Sequence, residues 1–539
     1  MKVRKRILVS TAAALLAMLP VPCLASAACE NLLNLKLPQT TIKSAETIPA
    51  GNFTTSDKVT RVAATAFCRV VASVQQAPDS DIGIEMWLPE EGWSGVFHGN
   101  GSGGYAGTFR FGYPEMETAI RRGYASAVTD MGTAPAEDLN GDPLIGHPQK
   151  WKDWGLLSTH VMTVVGKEIA TSFYGTAPKR SYFTGCSTGG QQGLIEAQHY
   201  PDDYDGIVSG APVVNRTWGH AAAIWAYQAA HLLPGHELSD AKLMLLHATA
   251  IKRCGAKGSG LASDPFVGDP MACKFDPAIL RCRGADSQSC LTDGEVATAR
   301  AFYSGPMSRT GKPLYFGWLP GSEMGPPSWH FAQEPPNAPQ EPAFDGLFKW
   351  ALGTDYDWRT FDFTRDMAKT DAVLASALNG ATVADMRAFA ARGGKLVLFQ
   401  GWADTLVTPK QTVAFYQKFA ARAGGIAKAQ NFARLFMVPG MGHCGGGDGA
   451  TNFLAIKIAG QALASDAPDH DAFTAMTRWV ETGEPPAQII ATKYVDSSPA
   501  KGVAMQRPLC PYPQKAWYKG SGSTSDAGNF VCAAKRPAP

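Results

Sequence analysis

The stretch that most restricts what this chain can fold into is RSYFTGCSTGGQQGLIEAQHY, residues 180–200. An apolar run, Tyr182-Phe183, leads into Gly185-Cys186-Ser187-Thr188-Gly189, and a helix-compatible run follows. That order, strand then tight turn then helix, is the setting in which a serine sits on a strained corner with its hydroxyl raised. Glycine flanks it because side chains there would strike the strand and the helix. The same letters also read as a Gly-rich turn that merely contains a serine. The rest of the chain decides between the two.

Around this stretch strands and helices alternate. GWSGVFHGNGSGGYAG (92–107) starts with apolar Val96-Phe97 and breaks into a Gly-rich loop, and GYASAVTDMG (123–132) reads as a buried strand. In 153–175, Leu156, Leu157, Val161, Val164, Val165 and Ile169 recur at helical spacing, and Gly175 ends the run. DGIVSGAP (205–212) is another short strand. Such alternation predicts an α/β fold with a mostly parallel sheet covered on both faces. Between residues 213 and 385 the rhythm is lost, aromatic, Pro and Gly residues thicken, and Cys254, Cys273, Cys282 and Cys290 cluster. It resumes at GGKLVLFQGWADTLVTP and ARLFMVPGMGHC. The order predicts a core in two parts, 28–212 and 386–539, around an insertion spanning 213–385.

Residues 1–27 read as a secretory signal peptide, with Lys2, Arg4, Lys5 and Arg6, then a short apolar run, then Ala25-Ser26-Ala27. Removing them takes the formal charge from +2 to −2. No basic run remains to hold nucleic acid, and no later stretch is apolar for the roughly 20 residues a membrane span needs. A secreted or periplasmic protein is expected. Of the 11 Cys, Cys23 leaves with the signal, and the other ten are an even set, which argues for five disulfides in an oxidising compartment. Cys254/Cys273 and Cys282/Cys290 would close short local loops.

A serine hydroxyl becomes a nucleophile only beside a base that a third group orients. On this type of corner the acid follows a later strand and the histidine a still later one. Asp404 comes directly after KLVLFQGWA and His443 after RLFMVPGMG. Other acids and histidines lie elsewhere: Asp202, Asp203 and Asp205 crowd the end of the helix after Ser187, and His98, His160 and His199 fall on or near predicted elements. An acyl-transfer site also needs donors for an oxyanion. The N–H of Thr188 is one; the second is expected from the early Gly-rich loop, at Gly101, with Ser102 close behind. Cys186 precedes the serine and Cys444 follows the histidine, so a triad would bring the two Cys together. A bridge between them and a thiol nucleophile at Cys186 are the two readings that follow.

With these residues in place, the chain resembles the tannase and feruloyl esterase family, marked by a Cys-Ser, Asp, His-Cys set whose two Cys are bridged. Here the set is Cys186-Ser187, Asp404 and His443-Cys444, and the resemblance extends through SYFTGCSTGGQQG, YDGIVSGAP, FDPAIL, CLTDGEV, VPGMGHC and RPLCPYPQKAWYKGSG. It implies an α/β-hydrolase core with a large lid inserted between the nucleophile and acid parts, and hydrolysis of esters of aromatic acids through an acyl-enzyme. The substrate partner is then a small aromatic ester, with Trp218, Trp225, Trp318 and Trp329 of the lid as candidate walls for its acyl group. A terephthalate-monoester hydrolase of the same family is the alternative, although those enzymes often carry Glu where this chain has Thr188. A non-catalytic exported binding protein with this fold is a further one. The family's lid often holds a structural calcium in an Asp-rich segment between two Cys. The matching stretch here, 254–273, has Gly255 and Gly258 where carboxylates are usual and keeps Asp264. A hard cation needs several charged oxygens, so no metal or other cofactor is expected.

Overall fold

The structure, a computed structural model, describes residues 28–334, 341–454 and 465–537. The signal peptide expected at 1–27 lies outside the described residues. Nine strands form the central sheet: β1 (Thr40–Ile48), β2 (Phe67–Val74), β3 (Ile82–Pro89), β4 (Val96–Asn100), β5 (Ala125–Thr129), β6 (Arg180–Cys186), β7 (Gly206–Gly210), β8 (Lys395–Gly401) and β9 (Ala433–Val438). Their spatial order is β1-β2-β3-β5-β4-β6-β7-β8-β9. The first four in that order pair antiparallel, and from β5 onward every pairing is parallel.

The parallel strands read as apolar runs because both faces are covered. Leu396, Leu398 and Leu435 project into one core with Val161, Met162, Val165 and Ile169 of helix α2 (Ser158–Tyr174). Their neighbours Val397, Phe399 and Phe436 project into a second core with Phe473, Met476 and Trp479 of the late helix Ala472–Thr482. Side chains that alternate along a strand thus serve two layers. Helix α1 (Tyr113–Arg121) packs with β2, β3 and β5 near the antiparallel end. α2 ends at Gly175, whose φ of 72° takes the left-handed C-terminal position the sequence marked.

Helix α3 (Thr188–His199) follows β6 directly. Between β7 and β8 the chain adds no strand to the central sheet among the described residues. It forms instead helices α4 (Arg216–His231), α5 (Asp240–Cys254), α6 (Asp293–Ser304) and α7 (Arg365–Leu378). Leu243, Leu246, Val296, Phe302, Trp318 and Trp329 make a core of their own there. A second cluster joins Ile224, Trp350 and Trp358 to Tyr105 and Trp154 beneath them. The last residues form two antiparallel ribbons, Ile489–Tyr494 with Val503–Leu509 and Lys515–Tyr518 with Phe530–Ala533. Five disulfides join all ten described cysteines: Cys29–Cys68, Cys186–Cys444, Cys254–Cys273, Cys282–Cys290 and Cys510–Cys532. Among the described residues, no helix is long and apolar enough to cross a membrane.

Candidate active site

Because β4, β6, β7, β8 and β9 run parallel, their C-terminal ends meet along one edge of the sheet, where open α/β sheets hold their sites. The Gly101 loop follows β4, Ser187 follows β6, Asp404 follows β8 and His443 follows β9. Ser187 has φ 63° and ψ −121°, a conformation that costs an L-residue energy and persists only where the surroundings impose it. Its N–H donates to the Gly210 carbonyl at 3.0 Å, fixing the corner to the end of β7. The glycines explain how backbone can come so close. A Cβ on Gly101 would lie 2.6 Å from the Gly189 Cα and 2.8 Å from the Gly185 Cα.

Asp404 is fully buried, and each of its oxygens is occupied. Oδ1 accepts from the N–H groups of Leu406 and Val407, both at 2.9 Å. Oδ2 accepts from Gln400 Nε2 at 2.8 Å and lies 2.9 Å from His443 Nδ1. With Nδ1–H given to the carboxylate, Nε2 is the ring nitrogen left to exchange a proton. The His443 N–H is itself anchored on the Pro326 carbonyl at 2.7 Å. The Cys186–Cys444 bridge, with a Cα–Cα distance of 5.9 Å, joins the residue before Ser187 to the residue after His443. Of the two readings of Cys186, the bridge is the one present, and the sulfur is no longer a nucleophile.

The oxyanion donors depart from the sequence expectation in one respect. Thr188 begins α3, so its N–H has no acceptor within the helix. The Gly101 N–H, however, donates to the Thr184 carbonyl at 2.9 Å, continuing the β4–β6 ladder. The Ser102 N–H donates to Gln192 Oε1 at 2.8 Å. Gly101 therefore serves the site by its missing side chain rather than by its N–H.

A cavity opens beside Ser187 and Thr188, walled by Gly104, Phe316, Trp318, Phe331, Phe344 and Val407, with Arg216 and His220 among its polar members. Trp318 is the one expected tryptophan on this wall. Trp329 is fully buried against Trp318 and Phe302, Trp218 stacks on Tyr315, and Trp225 donates its indole N–H to the Ala301 carbonyl. Burial and the Arg216 charge push the His220 imidazole well below its usual range, so it is neutral. Two residues with roles here escaped the sequence reading. Gln400 was visible as a polar break in the apolar run KLVLFQ, four residues before Asp404, and Arg216 is the only Lys or Arg between Arg180 and Lys242.

The residues of 254–273 do not fit a calcium ion. Asp264 is ion-paired with Arg507 at 2.8 Å and Asp269 with Lys515 at 2.5 Å, so cations of the chain hold the oxygens a hard metal would use. Elsewhere among the described residues, Cys282, Asp286 and Cys290 lie close, but both thiols are in a disulfide. His160, Glu196 and Asp203 gather towards the far end of α3 from Ser187.

The family model for tannase and feruloyl esterase matches residues 68–533. The chain is 39% identical to an uncharacterised esterase of Xanthomonas campestris pv. campestris, with 98% of this chain and 94% of the relative covered. It is 34% identical to the mono(2-hydroxyethyl) terephthalate hydrolase of Piscinibacter sakaiensis, over 84% of this chain and 82% of that protein. The crystal structure of feruloyl esterase B from Aspergillus oryzae superposes with a TM-score of 0.85 at 26% identity, covering 94% of this chain and 99% of the other.

Proposed function

This chain belongs to the tannase and feruloyl esterase family, and from that premise we propose that Ser187, His443 and Asp404 are its acyl-transfer machinery. The protein is a carboxylic ester hydrolase of the α/β-hydrolase type that acts on aromatic esters. The observation that carries the assignment of the triad is the bridge between Cys186 and Cys444, which holds the serine corner against the loop whose imidazole Asp404 orients.

In this reading Ser187 Oγ attacks the ester carbonyl carbon while His443 Nε2 takes its proton. The imidazolium that forms is stabilised by Asp404, to which two backbone N–H groups and Gln400 also donate. The tetrahedral oxyanion is held by the Thr188 N–H and by the glycines that follow Ser102, of which Gly104 lines the cavity. Collapse expels the alcohol, which takes the proton from His443, and leaves the acyl group on Ser187. Water, deprotonated by His443, then attacks the acyl-enzyme and releases the acid.

Residues 213–385 act as the lid, supplying Phe316, Trp318, Phe331 and Phe344 as flat apolar surface for an aromatic acyl group. The basic and apolar N-terminus, together with five disulfides, supports export to the periplasm or the medium. The test pairs turnover with labelling. A fluorophosphonate should modify Ser187, and Ser187→Ala should abolish hydrolysis of gallate, hydroxycinnamate and benzoate esters while leaving the circular dichroism spectrum unchanged. Unlabelled Ser187, or turnover that survives the substitution, refutes the mechanism and favours a binding protein on this fold.

A further inference from the structure

Arg216 is the one charged residue on the wall of the cavity that holds Ser187, and no Asp or Glu shares that wall among the described residues. The residue is 4% exposed. Its guanidinium lies over the Trp154 ring, 4.4 Å from the centroid. Nη1 donates to Thr188 Oγ1 at 3.0 Å and Nη2 donates to Gln191 Oε1. Nε is buried with no hydrogen-bond partner. A guanidinium carries five N–H donors, and these two bonds leave the others unengaged.

The surroundings do nothing to neutralise the charge. Burial is the main influence on the guanidinium and opposes its protonation, with Tyr105 the one ionisable neighbour acting against it. Tyr105 is itself neutral, its phenol pushed well above the usual range by burial, and His220 is neutral as well. A buried cation that meets only neutral acceptors is strongly unfavourable unless an anion arrives to pair with it. In a cavity beside a nucleophile, the anion that arrives is the substrate.

We propose that Arg216 is a specificity-determining residue and that the aromatic esters this enzyme turns over best carry a free carboxylate, which the guanidinium binds through the N–H groups Thr188 and Gln191 leave open. The proposal rests on the esterase reading given above and adds the charge of the substrate to it. Arg and carboxylate geometries match, and a charge-assisted bond in a water-poor pocket is stronger than a neutral one. The carboxylate could sit on the acyl half, as in a monoester of benzene-1,4-dicarboxylic acid, or on the alcohol half, as in a hydroxycinnamate ester of a hydroxy acid.

The experiment compares each of these esters with its analogue in which the free carboxylate is capped as a primary amide, using the full-length protein. For one of the two pairs the charged ester should be preferred by about tenfold or more in kcat/KM, mostly through KM. Arg216→Gln should remove that preference, and Arg216→Lys should restore part of it. Equal kcat/KM within both pairs overturns the proposal. So does an Arg216→Gln variant that loses kcat equally on charged and capped esters, because the cation would then serve the Thr188 side of the oxyanion site. Calorimetry with Ser187→Ala keeps the question separate from turnover and from the folding of the Arg216 variants. Tighter binding of the charged ester than of its amide-capped analogue in either pair sustains the proposal, and equal binding within both pairs overturns it. Loss of the triad assignment would show in the Ser187 labelling and leave this binding comparison standing.

Discussion

Asp404 is a buried carboxylate made tolerable by the groups that converge on it, and Gln400 is the least obvious of them. Its Nε2 donates to Oδ2, while its Oε1 accepts from Thr412 Oγ1 at 2.8 Å, so the amide is held from both ends. Replacing it with Leu removes a hydrogen bond to a charged group, worth about 1.5–3 kcal/mol. Gln400→Leu should therefore lower kcat by roughly 10–100-fold with little change in KM, and steady-state kinetics on a hydroxycinnamate ester checks it. The residues proposed to carry the reaction could be picked out in the sequence because each of Ser187, Asp404 and His443 follows an apolar strand in a fixed chain order. Gln400 and Arg216 could not, since their roles exist only through partners brought in by folding. Gly101 was misread for a related reason: whether its N–H is free depends on the register of Asn100 against Thr184, which no local pattern encodes.

At the scale of elements, the Ser187 and His443 loops follow different strands and are kept together by one covalent link. β6 and β9 are separated in the sheet by β7 and β8, so hydrogen bonding between neighbouring strands does not join them directly. The Cys186–Cys444 bridge does. The double variant Cys186→Ser/Cys444→Ser should lose about 100-fold or more in kcat, because a displacement of roughly 1 Å between reacting groups has that effect. Stability should fall by up to about 5 kcal/mol, the entropy that closing so long a loop removes from the unfolded chain. Denaturant unfolding and kinetics on the same preparation test the contrast. The apolar runs at β4 to β9 were readable as strands, since a strand covered on both faces has little need of polar residues. The edge strand β1 was not, because it is largely exposed or half-exposed along its length and leaves no continuous apolar run.

Across the whole molecule, the C-terminal ribbons are tied back to the 254–273 segment by Arg507–Asp264 and Lys515–Asp269. Chelation by EDTA should leave both the melting temperature and the esterase rate unchanged. Arg507→Ala should cost about 3–5 kcal/mol, because it strands a buried carboxylate, and its lower unfolding midpoint would be read by circular dichroism. A rise in stability on adding calcium to the unaltered protein would contradict this. The disulfide map carries one more consequence, for the order in which the chain matures. Cys186 must find a partner 258 residues downstream, whereas Cys254–Cys273 and Cys282–Cys290 span 19 and 8 residues. All four of those thiols leave the ribosome before Cys444 does, so oxidation in order of appearance would trap Cys186 in a mismatched pair. The yield of active enzyme is therefore governed by disulfide exchange rather than by oxidation alone, and a host lacking a disulfide isomerase should accumulate oxidised but silent protein.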